Sequence, residues 1–502
     1  MTRPPDSPES IARNAGFALA TQATASVFAA VLTIFLARYL GPERFGVFSL
    51  AVGIAAVLVL PGDAGISSAA ARFIAERRGN PAGVARVLRD ASRLRLITSG
   101  TVCIALVIAA GPLADAYDEP TLAWTLRGMA LAIFGQNLMQ LYGSSFTALG
   151  RVSLSFRASL LKSIVELSAT LGLVLAGAGS VGAAFGRSAG FLAGGILGAW
   201  MIWRLVGSPR DGDGDASPLD HPGIRNIARY AGALVIVEGA FVMFEQIDVI
   251  LIGAILTASA AGLFQAALRL TTFLHYPAYA LASGIAPRVA RHEVEGPAVE
   301  TFALGLRGLV VFQAALIAPL VIWAGPIVDL VLGDAYDESA EVLRALAPYV
   351  FLAGLGPLVS MAVNYAGEAR RRVPIALGAL AVNAVIDVIL IPDIGIVGGA
   401  IGTNVAYAIY VPAHLWICKD MLGVDLRPIL VSFARALVAA AAMAGVLALF
   451  GTEDVGILAL IAGSVAGLAV YLAVLLALRE LTVGDLRRLA AEARARLLAS
   501  RA

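Results

Sequence analysis

Long apolar stretches recur from one end of the sequence to the other, and many approach the roughly 20 residues that a helix needs to cross a bilayer. Of the 502 residues, 59% are hydrophobic and 14% are charged, whereas soluble domains carry about 25% charged residues. A helix is the form that such stretches take in lipid, because it satisfies its own backbone hydrogen bonds. The sequence therefore predicts an all-α integral membrane protein and excludes an ordinary soluble enzyme.

The apolar stretches predict fourteen transmembrane helices, and the basic residues predict their direction. The expected helices lie near residues 14–38, 46–70, 95–113, 122–148, 154–178, 181–206, 229–255, 262–286, 305–331, 341–365, 373–392, 397–418, 428–450 and 456–478. With both termini in the cytoplasm, 31 of the 37 Lys and Arg residues lie on the cytoplasmic side, as the positive-inside rule requires. We therefore expect a multi-pass protein of the cytoplasmic (inner) membrane with cytoplasmic N- and C-termini.

An internal duplication divides the predicted helices into two halves. The loop at residues 114–119 (ADAYDE) recurs at 333–338 (GDAYDE), and several residues match at an offset of 216, among them Gly46 and Gly262. Six helices per repeat give both copies the same orientation, so we expect a parallel-repeat transporter with two rocking lobes. The predicted parts are an N-lobe (1–206), a cytoplasmic linker (207–222), a C-lobe (223–420), two additional helices (421–478) and a cytoplasmic amphipathic tail (479–502).

Ionisable side chains within the predicted spans are candidate functional groups, because each costs about 2.5–3.5 kcal/mol to insert and normally faces a cavity or a partner. Guanidinium groups suit phosphate, since they offer planar bidentate donors. The candidates for substrate contact are Arg127, Arg187, Arg269, Arg344, Gln136, Asn137 and Gln140. The carboxylates that could bind a coupling ion or proton are Glu238, Glu245, Asp248, Asp63, Glu166 and Asp387.

Structural roles compete with these functional interpretations. The outer arginines could extend to the outer interface, where acidic loops would neutralise them. Arg269 could form a purely structural ion pair with Glu245 or Asp248. Lys162 and Glu166 are spaced as an i,i+4 pair on one helix. The sequence leaves both interpretations open.

Two glycine patterns have different implications. Glycines at every fourth position from Gly182 to Gly198 predict close packing of the sixth helix, with a hinge or sliding surface as the alternative. The match to GxGxxG at residues 177–182 lies in an outer loop and follows no strand, so we expect no nucleotide and no cofactor. Cys103 and Cys418 form no zinc motif, and a net charge of +2 gives no reason to expect nucleic acid.

The beginning of the chain carries residues that indicate a family. Arg13 and Asn14, FLARYLGPERFGVFSL at 35–50, DAGIS at 63–67 and RFIAE at 72–76 resemble the opening of polysaccharide-transporter (Wzx-like) oligosaccharide flippases. That family belongs to the superfamily that also includes the MATE exporters and the lipid II flippase. Fourteen helices in a six-plus-six-plus-two arrangement extend the resemblance over the whole chain.

The resemblance implies a flippase, and not an enzyme, that moves a polyprenyl-diphosphate-linked oligosaccharide to the outer leaflet for capsule, O-antigen or exopolysaccharide synthesis. It implies alternating access without ATP, through a V-shaped cavity between the lobes. The implied partners are this lipid-linked substrate, the bilayer and glycan polymerase machinery. A MATE-like cation-coupled antiporter with an acidic cavity is the alternative. A membrane glycan polymerase or ligase would need a large outer loop, which the sequence lacks.

Overall fold

The computed structural model describes residues 10–207, 239–240, 242–285, 296–453 and 455–481, and in these ranges the regular structure is helical. The first helices are α1 (Ile11–Asp63), α2 (Ile66–Glu76), α3 (Pro81–Ala116), α4 (Pro120–Ala148), α5 (Val152–Leu173), α6 (Gly179–Val206) and α7 (242–255). The others are α8 (Ala258–Thr272), α9 (Tyr276–Ile285), α10 (Gly296–Ile322), α11 (Ala324–Leu332), α12 (Glu338–Ala345), α13 (Ala347–Tyr365), α14 (Arg372–Ile394), α15 (Ile396–Leu422), α16 (Arg427–Leu449) and α17 (Ile457–Ala477). Most of the predicted linker, Glu238 and the tail beyond residue 481 lie outside the described residues.

Nine helical segments within the described ranges are long and apolar enough to cross a membrane, and two of them each cover two predicted spans. In α1 the helix is interrupted at Gly41 (φ 71°, ψ 171°). A π-helical segment containing Gly177 (φ 90°) joins α5 to α6. Glycine adopts these positive φ values without the steric cost that a Cβ imposes. The expected all-helical membrane protein is confirmed, and the total of fourteen spans stays a prediction.

Prolines explain why three stretches predicted as single helices are divided in the structure. Pro277, Pro326 and Pro348 lie in the first turns of α9, α11 and α13. A proline in a first turn forfeits no helical hydrogen bond, because the N–H there would have no intrahelical acceptor. Arg344, expected inside the tenth transmembrane helix, consequently lies in the short α12 that precedes α13.

The chain divides between Gln265 and Ala266 into two compact units. In the first unit α6 packs against α4 and α5, and α1 packs against the same two helices. In the second unit α15 packs against α13 and α14. These packed helices carry the polar clusters described below. The predicted lobe boundaries stay a prediction.

The glycine stripe of α6 makes the close helix contact that the sequence predicts. A Cβ added to Gly186 would lie 2.3 Å from Thr170 Oγ1, and one added to Gly190 would lie 2.5 Å from Glu166 Cβ. Both distances are too short for a real Cβ, so only glycine allows α6 to approach α5 this closely. The packing prediction is confirmed, and the close approach brings α6 side chains within reach of charged residues on α5.

Helices α1 and α8 cross at two glycines that the predicted duplication matches with each other. A Cβ on Gly46 would lie 1.8 Å from the Ala258 carbonyl oxygen, and a Cβ on Gly262 would lie 2.2 Å from the Pro42 carbonyl oxygen. Pro42 and Gly46 precede Ala258 and Gly262 by the same 216 residues. The two contacts therefore join positions that the predicted duplication pairs with each other. We call this contact the α1–α8 crossing.

The two additional helices predicted beyond the repeat, α16 and α17, are attached to the second unit. Helix α16 packs along α10 and against α17. The indole Nε1 of Trp323 donates to the Gly451 carbonyl oxygen at 3.0 Å, in the loop between α16 and α17. Tyr471 of α17 donates through its hydroxyl to the carbonyl oxygen of Val311 in α10 at 2.6 Å.

A buried carboxylate beyond the end of α17 completes this attachment. Glu480 accepts hydrogen bonds from Arg307 Nη2 of α10 at 2.8 Å, from Arg435 Nη1 of α16 at 3.0 Å and from the Ser432 hydroxyl. Burial raises the pKa of Glu480, yet these three hydrogen bonds hold the pKa of this carboxyl below its ordinary value. Glu480 is therefore ionised at neutral pH and links three helices through its charge.

Candidate functional site

Three charged side chains form a cluster where α5 meets α6, and we call it the Glu166 cluster (Lys162, Glu166 and Arg187). Arg187 Nη1 donates to Glu166 Oε1 at 3.0 Å, and the other carboxylate oxygen forms an ion pair with Lys162 Nζ. The Glu166 side chain is 6% exposed, whereas Lys162 is 18% and Arg187 is 27% exposed. Two cations and one buried carboxylate leave a formal charge of +1 on the accessible side of the cluster.

Local sequence positions these groups. Lys162 and Glu166 lie one turn apart on α5 and share a face. A Cβ on Gly194 of α6 would lie 2.9 Å from Lys162 Cβ, so the glycine stripe again sets the approach. The Phe191 ring centroid lies 4.6 Å from Lys162 Nζ and 5.1 Å from Arg187 Cζ, within cation–π distance. The arrangement offers a phosphate-bearing ligand two cationic donors held in fixed orientations.

Asp63, at the end of α1, belongs to a buried cluster with Ser67 and Arg95, which we call the Asp63 cluster. Arg95 of α3 is fully buried, and its guanidinium contacts the Asp63 carboxylate and the Ser67 hydroxyl. Its Nη1 also donates to the Gly62 carbonyl oxygen at 3.1 Å, and Ser67 Oγ donates to Asp63 Oδ1 at 2.7 Å. The predicted ion-coupling carboxylate therefore already has a cationic partner, since arginine stays protonated in proteins.

Hydroxyl and amide groups surround the Asp63 cluster. Thr98 and Ser99 donate through their hydroxyls to the Gly62 carbonyl oxygen at 2.8 and 3.2 Å. Asn137 of α4 is fully buried, and a Cβ on Gly62 would lie 2.2 Å from its Nδ2. Neither polar atom of the Asn137 amide has a hydrogen-bond partner among the described residues. A side chain at position 62 would therefore displace this amide from its present place.

The three predicted amides of α4 do not converge on one site. Asn137 is buried, whereas Gln136 is half-buried and Gln140 is exposed. Gln136 and Gln140 lie one turn apart on α4, and both are more exposed than Asn137, whose amide lies against Gly62. The structure therefore brings only Asn137 into a buried polar cluster.

The four predicted arginines occupy different surroundings, and one of them belongs to the Glu166 cluster. Arg127 is half-buried, and its Cζ lies 4.6 Å from the ring centroid of the exposed Trp124. Arg344 is exposed, and its Nε donates to the Val321 carbonyl oxygen at 3.0 Å, near the end of α10. Arg269 is half-buried on α8. The last carbonyl groups of a helix have no hydrogen-bond donor within that helix, and Arg344 supplies a donor to one of them.

A carboxylate–amide pair lies buried in the second unit. Asp387 of α14 is fully buried, and Asn383 Nδ2, one turn earlier, donates to Asp387 Oδ2 at 2.9 Å. A Cβ on Gly402 of α15 would lie 2.0 Å from Asp387 Oδ1. Side-chain oxygens of this kind are the ligands that hard cations prefer. Within the described part of the chain, no group of three or more His, Cys, Asp or Glu side chains could hold a metal ion.

The predicted carboxylates of the seventh helix are only partly within the described residues. Glu245 and Asp248 lie three residues apart in α7, the spacing of neighbours on one helix surface. Glu245 is exposed, whereas Asp248 is 4% exposed. Their predicted ion pair with Arg269 stays a prediction.

Sequence reasoning missed two arginines that the structure places in polar clusters. Arg95 counts in the sequence only as a cytoplasmic cation, because its partner Asp63 is 32 residues away and no local spacing indicates the pair. Arg372 begins α14 and donates to His414 Nε2 at 3.1 Å, Asn364 Oδ1 at 2.6 Å and the Tyr410 hydroxyl at 3.0 Å. The burial of Arg95 and the contacts of the half-buried Arg372 depend on tertiary packing, which a hydropathy pattern does not encode.

Comparison with known proteins agrees with the resemblance seen in the sequence. A family model described as "Polysaccharide biosynthesis protein" matches residues 11–291. Over 433 residues the chain is 25% identical to the probable low-salt glycan biosynthesis flippase Agl15 of Haloferax volcanii, covering 83% of this chain and 85% of that protein.

The fold is shared with solved membrane transporters. The chain is similar to the lipid II flippase MurJ in an inward closed conformation, with a TM-score of 0.73 and 14% identity over 92% of this chain and 98% of that chain. It is also similar to an inward-facing multidrug resistance MATE family transporter of the MOP superfamily, with a TM-score of 0.66 and 16% identity over 79% of this chain and 95% of that chain. At these identities the likeness concerns the fold alone.

Proposed function

Because the chain belongs to the polysaccharide biosynthesis protein family, we propose that it is a flippase that moves a polyprenyl-diphosphate-linked oligosaccharide across the cytoplasmic membrane. The observation that carries this proposal is the similarity to a glycan biosynthesis flippase over 83% of the chain. A transporter fold shared with a lipid II flippase over 92% of the chain supports it. The translocated glycan would supply capsule, O-antigen or exopolysaccharide synthesis.

The proposed topology has fourteen spans with both termini in the cytoplasm. Its support is the distribution of basic residues, since 31 of the 37 Lys and Arg residues then lie on the inner side. Alternating access between the two repeats exposes the substrate site to each leaflet in turn. The α1–α8 crossing is the pivot proposed for this motion. It joins positions that correspond to each other in the two repeats, so it lies on the axis that relates the repeats and stays there as they move.

The Glu166 cluster is the proposed contact for the substrate diphosphate. Arg187 combines a partly exposed guanidinium with an orientation set by Glu166, and guanidinium matches phosphate geometry. Lys162, which sequence reasoning treated only as a partner of Glu166, adds a second cation. Arg127, Arg269, Arg344, Gln136, Asn137 and Gln140 are proposed as further contacts along the pathway.

Asp387 is the carboxylate that the geometry best supports as a coupling site. It is fully buried and accepts a hydrogen bond from the Asn383 amide, and a bound proton or cation would lower the cost of holding this carboxylate away from water. The charge of Asp63 is balanced by Arg95. Glu166 is likewise balanced by two cations. The carboxylates of the seventh helix, at 238, 245 and 248, complete the proposed set.

Depletion of the protein tests the proposed function directly. Without the flippase, the lipid-linked oligosaccharide should accumulate on the cytoplasmic leaflet, because later steps of glycan assembly no longer receive it. Mass spectrometry of extracted lipids measures the accumulation, and a plasmid copy of the gene should reverse it. Unchanged levels of every lipid-linked sugar after depletion would reject a flippase.

Substitution of Arg187 tests the proposed diphosphate contact. Arg187→Ala should lower glycan export about 10- to 100-fold, the effect of losing a hydrogen bond between charged groups worth about 1.5–3 kcal/mol. Arg187→Lys should retain part of the activity because it keeps the charge. Export is measured in cells that lack the native flippase and is normalised to the amount of protein in the membrane.

Two controls separate substrate contact from a structural ion pair. Arg204→Ala removes an arginine from the last turn of the same helix, where it stacks on Trp200, and should leave export within about twofold. The double variant Glu166→Gln/Arg187→Ala removes the carboxylate together with its arginine partner, so it leaves no unpaired carboxylate. Full recovery of export in this double variant would show that Arg187 only neutralises Glu166, and the proposed contact would be wrong.

The similarity to MATE transporters favours one second candidate, a cation-coupled drug antiporter. An antiporter should confer resistance to cationic dyes when expressed in a sensitive host, whereas an oligosaccharide flippase should not. The +1 charge of the Glu166 cluster argues against this candidate, since cationic drugs would be repelled there.

A further inference from the structure

A cavity of about 380 Å³ opens where the turn after α2, the turn between α4 and α5 and the end of α6 come together. Its volume lies within the roughly 300–1,000 Å³ typical of small-ligand sites. Two arginines and an apolar wall line it: Arg78, Arg151, Pro81, Val84, Leu149 and Leu205. We call it the Arg78–Arg151 cavity. None of these residues belongs to the proposed transport site.

The surroundings of this cavity are strongly basic. Residues 72–86 contain four arginines and one carboxylate, and residues 149–157 contain two arginines and no carboxylate. The carboxylate, Glu76, is already bonded to Arg72 at 3.1 Å and to Arg77 at 3.4 Å. The local potential at the cavity is therefore positive and attracts anions.

Arg78 also neutralises a helix end that would otherwise repel an anion. The last carbonyl groups of a helix carry partial negative charge. Arg78 Nε donates to the Ala148 carbonyl oxygen at 2.8 Å, and the backbone N–H groups of residues 149–151 bond the three preceding carbonyls of α4. Helices α3 and α5 begin at Pro81 and Val152, beside the cavity, and their N-termini add partial positive charge.

We propose that the Arg78–Arg151 cavity binds the phosphate head group of an anionic phospholipid from the inner leaflet. The guanidinium groups pair with the phosphate. Val84, Leu149 and Leu205 bury the first carbons of an acyl chain, a contact that inorganic phosphate cannot make. Basic pockets between membrane helices on the cytoplasmic side are known sites for such head groups. The inner-leaflet side follows from the proposed topology, and binding does not depend on transport.

Native mass spectrometry of the full-length, delipidated protein in detergent tests the site. Titration with cardiolipin should give a first bound lipid at a concentration at least tenfold below that needed with phosphatidylcholine. Arg151→Gln should weaken this first event about fivefold, the factor that one basic residue contributes at an anionic surface. Arg157→Gln removes the same charge from an exposed position of α5 and should weaken it less than twofold.

A further variant keeps both arginines and fills the cavity. Leu205→Trp should weaken cardiolipin binding at least as much as Arg151→Gln, which tests the site even if the charge variant is unstable. If Arg151→Gln and Arg157→Gln weakened cardiolipin binding equally, the result would show only a general attraction between the basic surface and an anionic lipid. It would overturn the proposal. Displacement of cardiolipin by millimolar inorganic phosphate would identify a free-phosphate site and would also overturn it. Loss of export with unchanged lipid binding would leave the site intact and count only against the transport proposal.

Discussion

Replacement of Arg95 by methionine should destabilise the folded chain by about 3–5 kcal/mol, the usual cost of removing one partner from a buried ion pair. Arg95 is fully buried, so its loss leaves the Asp63 carboxylate without its cation in a buried site. The Ser67 hydroxyl loses the hydrogen bond that Arg95 donates to it, and the Gly62 carbonyl oxygen loses one of its three donors. The thermal midpoint and folded fraction of the full-length protein in detergent measure this loss.

A paired variant separates charge from packing in this experiment. Asp63→Leu/Arg95→Met removes both charges, and apolar replacement of a whole buried pair is often close to neutral. The double variant should therefore be more stable than Arg95→Met alone. Arg93→Met removes an exposed arginine from the same helix and should change the midpoint little. A double variant as unstable as the single one would contradict the ion-pair explanation.

Alanine at Gly46 or at Gly262 should impair both folding and glycan export. Each added methyl group would overlap a carbonyl oxygen of the opposite helix, at 1.8 Å for Gly46 and 2.2 Å for Gly262. Inserting a methylene into a packed contact typically costs about 1–3 kcal/mol, and a backbone atom cannot rotate away as a side chain can. Export per folded protein in cells lacking the native flippase measures the functional part of the effect.

A double variant with alanine at both Gly46 and Gly262 tests whether the two glycines share one contact. Once α1 and α8 have separated to admit one methyl group, the second should find space, so the double variant should cost less than the sum of the two singles. Gly100→Ala in α3 is the matched control, because its Cβ would meet nothing within 4 Å. Additive costs would mean that the glycines do not share one contact, and normal export in both singles would exclude a role in transport.

Much of the fold could be predicted because it depends on local properties of the sequence. Apolar stretches of membrane-spanning length mark the helices. The glycine stripe of α6 has the helical spacing that close packing needs, and the structure shows that contact. Prolines set breaks that hydropathy alone overlooks, which is why Arg344 lies in α12 and outside α13.

The polar clusters could be predicted only where their members are neighbours in sequence. Lys162 and Glu166 are recognisable from their spacing on one helix. Arg187 joins them because glycines bring α6 against α5. That contact depends on which helices pack together, and the local spacing of residues does not indicate it. Arg95 gives no signal in the sequence, since a basic residue near the inner end of a span normally indicates topology and not a buried pair.

The α1–α8 crossing also bears on how such a chain can change over time. It sets Gly46 against Ala258 and Gly262 against Pro42, so the duplicated segment meets its own copy. The predicted duplication implies that a half-length ancestor formed this contact between two identical subunits. Fusion of the halves frees most positions to vary independently, but a larger side chain gained at the crossing in one half would strike the other. At this point the two halves of the gene share a single steric limit.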